Sequence, residues 1–265
     1  MLSEDRSVLS RSSAAAPAVV AYGPDPDQVA EIWASEPDAP LVLLLHGGFW
    51  LQQYDRAHCR GLAVALAQLG ATVVLLEYRR VGGGGGWPAT FDDVRTGVRK
   101  IVQHHPAATR RILVGHSAGG HLGLWVAATE PTPLVDAVVA LAPIADVTAM
   151  ARSFGTGAGA GDNPVHDLLG GTPESHPDRY DLADPALLPT PRAGVHLLHG
   201  ISDTLVPIEQ SLSYARRHAG TQVTELRCAH FELIDPRSAA FTAVRNAVSA
   251  ELDDPTSPHR RSRPW

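Results

Sequence analysis

Five short apolar runs, separated by stretches with helical spacing, set the tightest limit on how this chain of 265 residues folds. They are Leu41 to Leu45, Thr72 to Leu76, Ile112 to Val114, Val135 to Leu141 and Val195 to Leu198. A strand without polar alternation is covered on both faces, as in a mostly parallel sheet with helices on either side. The intervening helices are expected over Arg56 to Leu69 (stopped by Gly70), Phe91 to His105, His121 to Thr129, Ile208 to Ala219 and Ser238 to Leu252. A further strand is expected at Gln222 to Arg227. Ala18 to Tyr22 and Gln28 to Trp33 flank the turn-forming Gly23-Pro24-Asp25-Pro26-Asp27 and read as an antiparallel hairpin at the sheet's edge. The expected fold class is α/β, with one domain over residues 18–252. Residues 1–17 read as a flexible N-terminal arm and 253–265 as a disordered tail. Over residues 146–190 the rhythm breaks into prolines and Gly157-Ala158-Gly159-Ala160-Gly161, the pattern of an irregular, cap-like insertion over one end of the sheet.

Composition removes several function classes. A net charge of −6, with no basic stripe before Arg260-Arg261-Ser262-Arg263, argues against nucleic acid and against an anionic membrane surface as partners. Two distant cysteines, Cys59 and Cys228, give neither a disulfide framework nor metal spacing, and a reducing compartment is expected. The charged Glu4-Asp5-Arg6 does not resemble a signal peptide, and no apolar run approaches the ~20 residues that span a bilayer. A cytoplasmic location follows. The thirteen histidines are scattered, with His196 and His199 on opposite faces of one strand, so neither a metal nor another cofactor is implied. The oligomeric state is open, a homodimer included.

In such a sheet the functional loops lie at the carboxyl ends of the strands. Gly115-His116-Ser117-Ala118-Gly119 sits between a strand and a helix, the setting in which G-x-S-x-G lifts a serine hydroxyl to a helix N-terminus. His46-Gly47-Gly48-Phe49-Trp50 ends another strand, and its glycines allow backbone N–H groups to face a developing oxyanion. Asp203 and His230 follow two later strands, in the chain order Ser117, Asp203, His230 expected of a converging set. Each has a plainer reading: a glycine-rich turn, a capping aspartate, a surface histidine. Three such residues at three suitable strand ends outweigh those readings. Asp146, after another strand, is the competing acid. Trp50, Trp87, His116 and Phe154 are expected near a substrate, although aromatic residues more often pack the core. The glycine run Gly82 to Gly86 lacks the ending of a phosphate loop and reads as a mobile rim.

With these residues in view, the chain resembles the α/β-hydrolases over residues 18–252. His46-Gly47-Gly48 is similar to the HGGG-type signature of hormone-sensitive-lipase-like esterases, and His46 to Trp50 to the HGGxW motif of kynurenine formamidase-like hydrolases. Tyr22-Gly23-Pro24, Tyr78-Arg79 and His230-Phe231-Glu232-Leu233-Ile234 resemble the same branch, while Glu77 stands where many relatives have asparagine. The resemblance implies oxyanion-hole amides on Gly48, Phe49 and Ala118. It also implies acyl transfer, with Ser117 as nucleophile, His230 as base and Asp203 as its orienting acid. The substrate expected is a small-molecule ester or amide: a carboxylic ester of a small or aromatic compound first, N-formylkynurenine as the alternative. A peptidase is disfavoured because no access-restricting domain is visible. A non-catalytic binding protein is disfavoured because it has no use for all three residues.

Overall fold

The computed structural model describes residues 4–11, 18–154 and 163–254. Its strands are β1 (Ala18–Ala21), β2 (Val29–Trp33), β3 (Leu41–Leu45), β4 (Thr72–Leu76), β5 (Arg111–His116), β6 (Ala137–Leu141), β7 (Gly194–Gly200) and β8 (Gln222–Leu226). They form one sheet in the order β1-β2-β4-β3-β5-β6-β7-β8. The first two pairings, β1 with β2 and β2 with β4, are antiparallel, and every other pairing is parallel. The edge hairpin and the mostly parallel sheet both match the reading of the sequence.

Continuous apolar runs occur because both faces of the sheet are covered. All five residues of β3 are fully buried. Leu41, Leu43 and Leu45 belong to one core layer, while Val42 and Leu44 belong to the other. The first layer packs on α2 (Ala89–His104) and α3 (Ala118–Thr129) through Phe91, Val94 and Leu122. The second packs on α1 (Arg60–Ala67) and α8 (Phe241–Asp253) through Leu62, Leu66, Val244 and Val248. Each such side chain contributes about 1.5–3 kcal/mol relative to exposure. The helix expected to begin at Arg56 starts as a 3-10 turn over Arg56–Cys59, with Asp55 accepting from the Ala57 amide at 2.8 Å, and becomes α-helical at Arg60.

Residues 146–190 are more regular than their proline content suggests. Three short helices stand among the described residues: α4 (Val147–Ser153), α5 (Pro164–Leu169) and α6 (Pro177–Ala183). Two of the prolines occupy first helical turns, where a missing N–H costs nothing. Asp184, fully buried, gathers the segment by accepting from the amides of Val147 (3.0 Å), Thr148 (2.9 Å) and Ala186 (3.1 Å). From α3, His121 donates to the Ala183 carbonyl at 2.9 Å and Trp125 to that of Leu182 at 2.8 Å. Near the other end, α7 (Glu209–Arg217) precedes β8. The Gly82–Gly86 run folds tightly, with the amides of Gly83 and Gly85 both donating to the Arg80 carbonyl at 2.9 Å.

Residues 4–11 depart from the expected loose arm. They form a strap with a 3-10 turn at Ser7–Ser10, Val8 buried in the second core layer and Arg11 donating to Asp235 at 2.7 Å. Residues 1–3 and 12–17, the run Gly157 to Gly161 and most of the tail lie outside the described residues.

Candidate active site

β5 delivers Ser117 to the start of α3 in a backbone conformation that a serine rarely adopts, with φ 54° and ψ −117°. Strain of this kind costs about 1–3 kcal/mol and persists only where the surroundings hold it. The flanking glycines explain how. A Cβ at Gly119 would overlap the Leu45 carbonyl, and one at Gly115 would overlap the Gly119 carbonyl. The turn is therefore wedged between the ends of β3 and β5. It leaves the Ser117 side at the N-terminus of a 12-residue helix whose first amides, Ala118 among them, have no intrahelical acceptor.

The loop after β3 presses on the same place. A Cβ at Gly47 would stand 3.1 Å from the Ser117 Cβ, so the loop runs directly against the serine. Gly48 (φ 113°), Phe49 (φ 51°) and Trp50 (φ 58°) are consecutive left-handed residues, which turns this backbone back over the strand end. His46 anchors the loop from below. Its Nε2–H donates to Glu77 Oε1 at 2.8 Å, its ring stacks on Tyr78 with centroids 4.4 Å apart, and the Tyr78 hydroxyl donates to the His46 carbonyl at 2.8 Å. Burial favours the neutral form of Glu77, but the His46 ring, Arg80 and the Arg56 amide outweigh it and hold the carboxyl down at about 2.

After β7, Asp203 caps its own turn: Oδ1 accepts from the amides of Leu205 (2.9 Å) and Val206 (2.8 Å). Its other oxygen accepts from His230 Nδ1–H at 2.6 Å, so the capping role expected of an ordinary aspartate and the pairing with histidine coexist. Burial would raise this carboxyl, yet the neighbouring His199 and His230 side chains hold it well below the usual carboxylate range. The fixed Nδ1–H leaves Nε2 of His230 as the ring's accepting nitrogen. His116 lies against the same ring, centroids 4.5 Å apart, and its Nε2–H donates to the His230 carbonyl at 3.2 Å. Burial, then the nearby His230, push His116 far below an ordinary histidine, so it is a neutral packing element. Since Ser117 follows His116 directly, the strand ends of β5, β7 and β8 meet here.

Two contributors carried no sequence signal. His199 is fully buried, accepts from Ser211 Oγ at 2.7 Å, donates to the Val206 carbonyl at 2.9 Å and lies 3.5 Å from Asp203 Oδ2. Glu4 accepts from the His230 amide at 3.0 Å and from the amide and hydroxyl of Thr204 at 3.0 and 3.1 Å. It thereby ties the loops of Asp203 and His230 together. An acid within a Ser/Ala/Arg-rich stretch gives no hint of that reach.

Other expected residues sit elsewhere. Trp50 is completely buried, edge-on to His121 at 5.1 Å, so it supports the loop from the core instead of facing a substrate. Trp87 is partly exposed and packs on Phe91 at 4.9 Å. Phe49 meets Phe154 edge-on at 6.1 Å, which brings the end of α4 to the glycine loop. Asp146 caps α4 through the Ala149 amide at 2.8 Å and pairs with Arg217 at 3.3 Å, with no link to His230 among its contacts. Cys59 and Cys228 are buried, and burial raises each thiol to about 12.

The sheet order, the strained serine turn between β5 and α3 and the loops at the strand ends define an α/β-hydrolase fold. Within that class, the chain belongs to the BD-FAE family, whose model matches residues 32–217. It is similar to a kynurenine formamidase of Danio rerio, 37% identical over 99 residues that cover 37% of this chain and 33% of that protein. It is also similar to the esterase LipC of Mycobacterium tuberculosis, 27% identical over 217 residues, covering 75% of this chain and 54% of the relative. The chain thus spans about a third to a half of these relatives' lengths. Among solved structures, a truncated carbohydrate esterase from gut microbiota superposes with a TM-score of 0.75 at 20% identity, covering 89% of this chain and 95% of that one. At that identity the likeness speaks for the fold alone.

Proposed function

We propose that the protein is a serine hydrolase that cleaves carboxylic esters of small or aromatic compounds through an acyl-enzyme. The Asp203–His230 pair carries this reading: a carboxylate with no exposed side-chain surface, 2.6 Å from Nδ1, leaves Nε2 as a base at the strand end where Ser117 emerges. In the first step His230 Nε2 takes the Ser117 proton as Oγ attacks the carbonyl carbon, and Asp203 stabilises the imidazolium. The amides of Gly48, Phe49 and Ala118 receive the oxyanion, each worth about 3 kcal/mol of barrier by analogy with other acyl-transfer sites. His230 then returns the proton to the leaving alcohol. In the second step it activates water against the acyl-enzyme, restoring Ser117.

A formamide substrate is the second reading, favoured by the 37% identity to a kynurenine formamidase. The chemistry is the same, and the leaving group is an aryl amine instead of an alcohol. A fluorophosphonate probe tests the nucleophile: it labels Ser117 in the wild type and fails to label Ser117→Ala. A folded wild-type protein that stays unlabelled overturns the assignment. Comparing kcat/KM for short-chain 4-nitrophenyl esters and N-formylkynurenine decides between the substrates.

A further inference from the structure

The strap of residues 4–11 forms one wall of a cleft beside the glycine loop. Its two ends are fixed, by Glu4 on the loops of Thr204 and His230 and by Arg11 on Asp235. Between them Arg6 and Leu9 line a narrow cleft of about 40 Å³, room for a group of a few heavy atoms, together with Gly48, Phe49, His116 and Phe231.

The charge pattern of this cleft is lopsided. None of its lining side chains is a carboxylate. Its two histidines are both held neutral, His58 by burial that lowers it to about 4 and His116 by burial and the neighbouring His230. Arg6 is the remaining ionic group in the lining, and its guanidinium has no ion pair among the described residues. The acids nearest in sequence are already engaged: Glu4 by three donors and Asp5 by the Ser7 amide at 2.8 Å. A lone guanidinium fork at the edge of an otherwise uncharged, largely apolar cleft is complementary to a planar carboxylate, which it binds with two parallel hydrogen bonds.

We propose that Arg6 is a specificity-determining residue that receives a carboxylate of the substrate, so that the preferred substrates are esters or amides whose anionic group reaches the solvent-exposed edge of this cleft. This rests on the reading of Gly48 and Phe49 as the amides that hold that carbonyl's oxygen. Because Arg6 is exposed, the preference is modest, roughly tenfold over a neutral analogue.

The test uses 4-nitrophenyl half-esters of succinic, glutaric and adipic acids, each beside its neutral carboxamide analogue; the series brackets the reach across the cleft. The wild type is expected to favour at least one half-ester about tenfold in kcat/KM, and the ratio shrinks as salt rises. Arg6→Gln brings the ratio to about one, and Arg6→Glu inverts it. A wild-type ratio near one throughout, or a ratio that survives Arg6→Gln, overturns the proposal, as does an equal fall for charged and neutral partners, which marks the strap as a wall only. A binding arm separates this from the hydrolase reading. The Ser117→Ala protein is titrated with the monomethyl esters of the same acids and their carboxamide analogues, with and without Arg6→Gln. If the wild type turns over neither ester, the hydrolase reading fails, while a charge preference in binding that depends on Arg6 still supports the anion site and its absence refutes it.

Discussion

Glu77 Oε1 lies 2.8 Å from His46 Nε2, and neither side chain is more than 1% exposed. The contact follows from strand register. Leu45 of β3 pairs with Leu76 of the parallel β4, so the next residue of each strand, His46 and Glu77, emerge side by side. Glu77 Oε2 accepts from the Arg56 amide at 3.0 Å and its Nη1 at 3.2 Å, and Arg80 stands 3.3 Å from Oε1. One buried carboxylate therefore organises the base of the glycine loop.

Replacing that charge tests the anchor. Glu77→Gln is expected to cost about 3 kcal/mol, because Arg56 and Arg80 lose their buried counter-charge and His46 loses a charged acceptor, and to lower esterase kcat at least tenfold by loosening the Gly48–Phe49 backbone. The sign with pH is determined by a carboxyl held at about 2, below its ordinary 4.5. The stabilisation is fully present above pH 4.5 and is lost as pH falls toward 2. The gap between the urea midpoints of wild type and Glu77→Gln, measured from pH 7 to 3, is expected to narrow by about half at the acid end; a constant gap contradicts the charge argument.

The two acids at neighbouring strand ends are predicted to separate cleanly. Asp203→Asn reverses the hydrogen-bonding demand at His230 Nδ1 and is expected to lower kcat/KM about a thousandfold or more, by analogy with other triads. Asp146→Asn keeps a competent helix cap and loses only a partly exposed pair with Arg217, so its activity is expected within a few-fold of wild type. Steady-state kinetics of the pair reads the difference directly, and the opposite ranking reassigns the acid.

Backbone strain in the glycine loop is predicted to matter more than positive φ elsewhere. Gly48→Ala adds a Cβ that overlaps Tyr54 Cβ at φ 113°, whereas Gly70→Ala adds one to open space at φ 80°. The Gly70 change is expected to cost about 1 kcal/mol of stability and leave turnover alone. The Gly48 change is expected to lower kcat at least a hundredfold. Thermal melts with parallel kinetics distinguish a lost loop geometry from general destabilisation.

Buried neutral histidines set the acid limb of stability. His58 and His121 are each lowered to about 4, in both cases chiefly by burial, and burial lowers His116 as well. Their unfolded value is 6.5, so between pH 6.5 and 4 the unfolded chain binds protons that the folded one does not. Stability is therefore full above 6.5 and falls as the solution is acidified, by about 1.4 kcal/mol per pH unit for each such histidine. His121→Gln is expected to make the slope shallower by one proton between pH 6 and 4.5, as read from urea midpoints; an unchanged slope excludes His121 as a contributor.

The strand runs at Leu41 to Leu45 and Thr72 to Leu76 were legible residue by residue, because strands covered on both faces tolerate no polar alternation. The helices of residues 146–190 were not, since short helices held by Asp184 and by donors from α3 derive their stability from contacts distant in sequence. Trp50 looked like a pocket wall for a related reason: periodicity cannot tell which way a left-handed backbone aims a ring, and here it aims into the core.

The sequence alone determined the α/β alternation and singled out the candidate residues Ser117, Asp203 and His230, because hydrophobic period and turn chemistry are local properties. Only the tertiary structure decided which acid faces His230, that Glu77 anchors the glycine loop and that residues 4–11 close one side of the cleft. Those outcomes depend on strand register and on contacts such as Glu4 with His230, more than two hundred residues apart, and no local pattern records them.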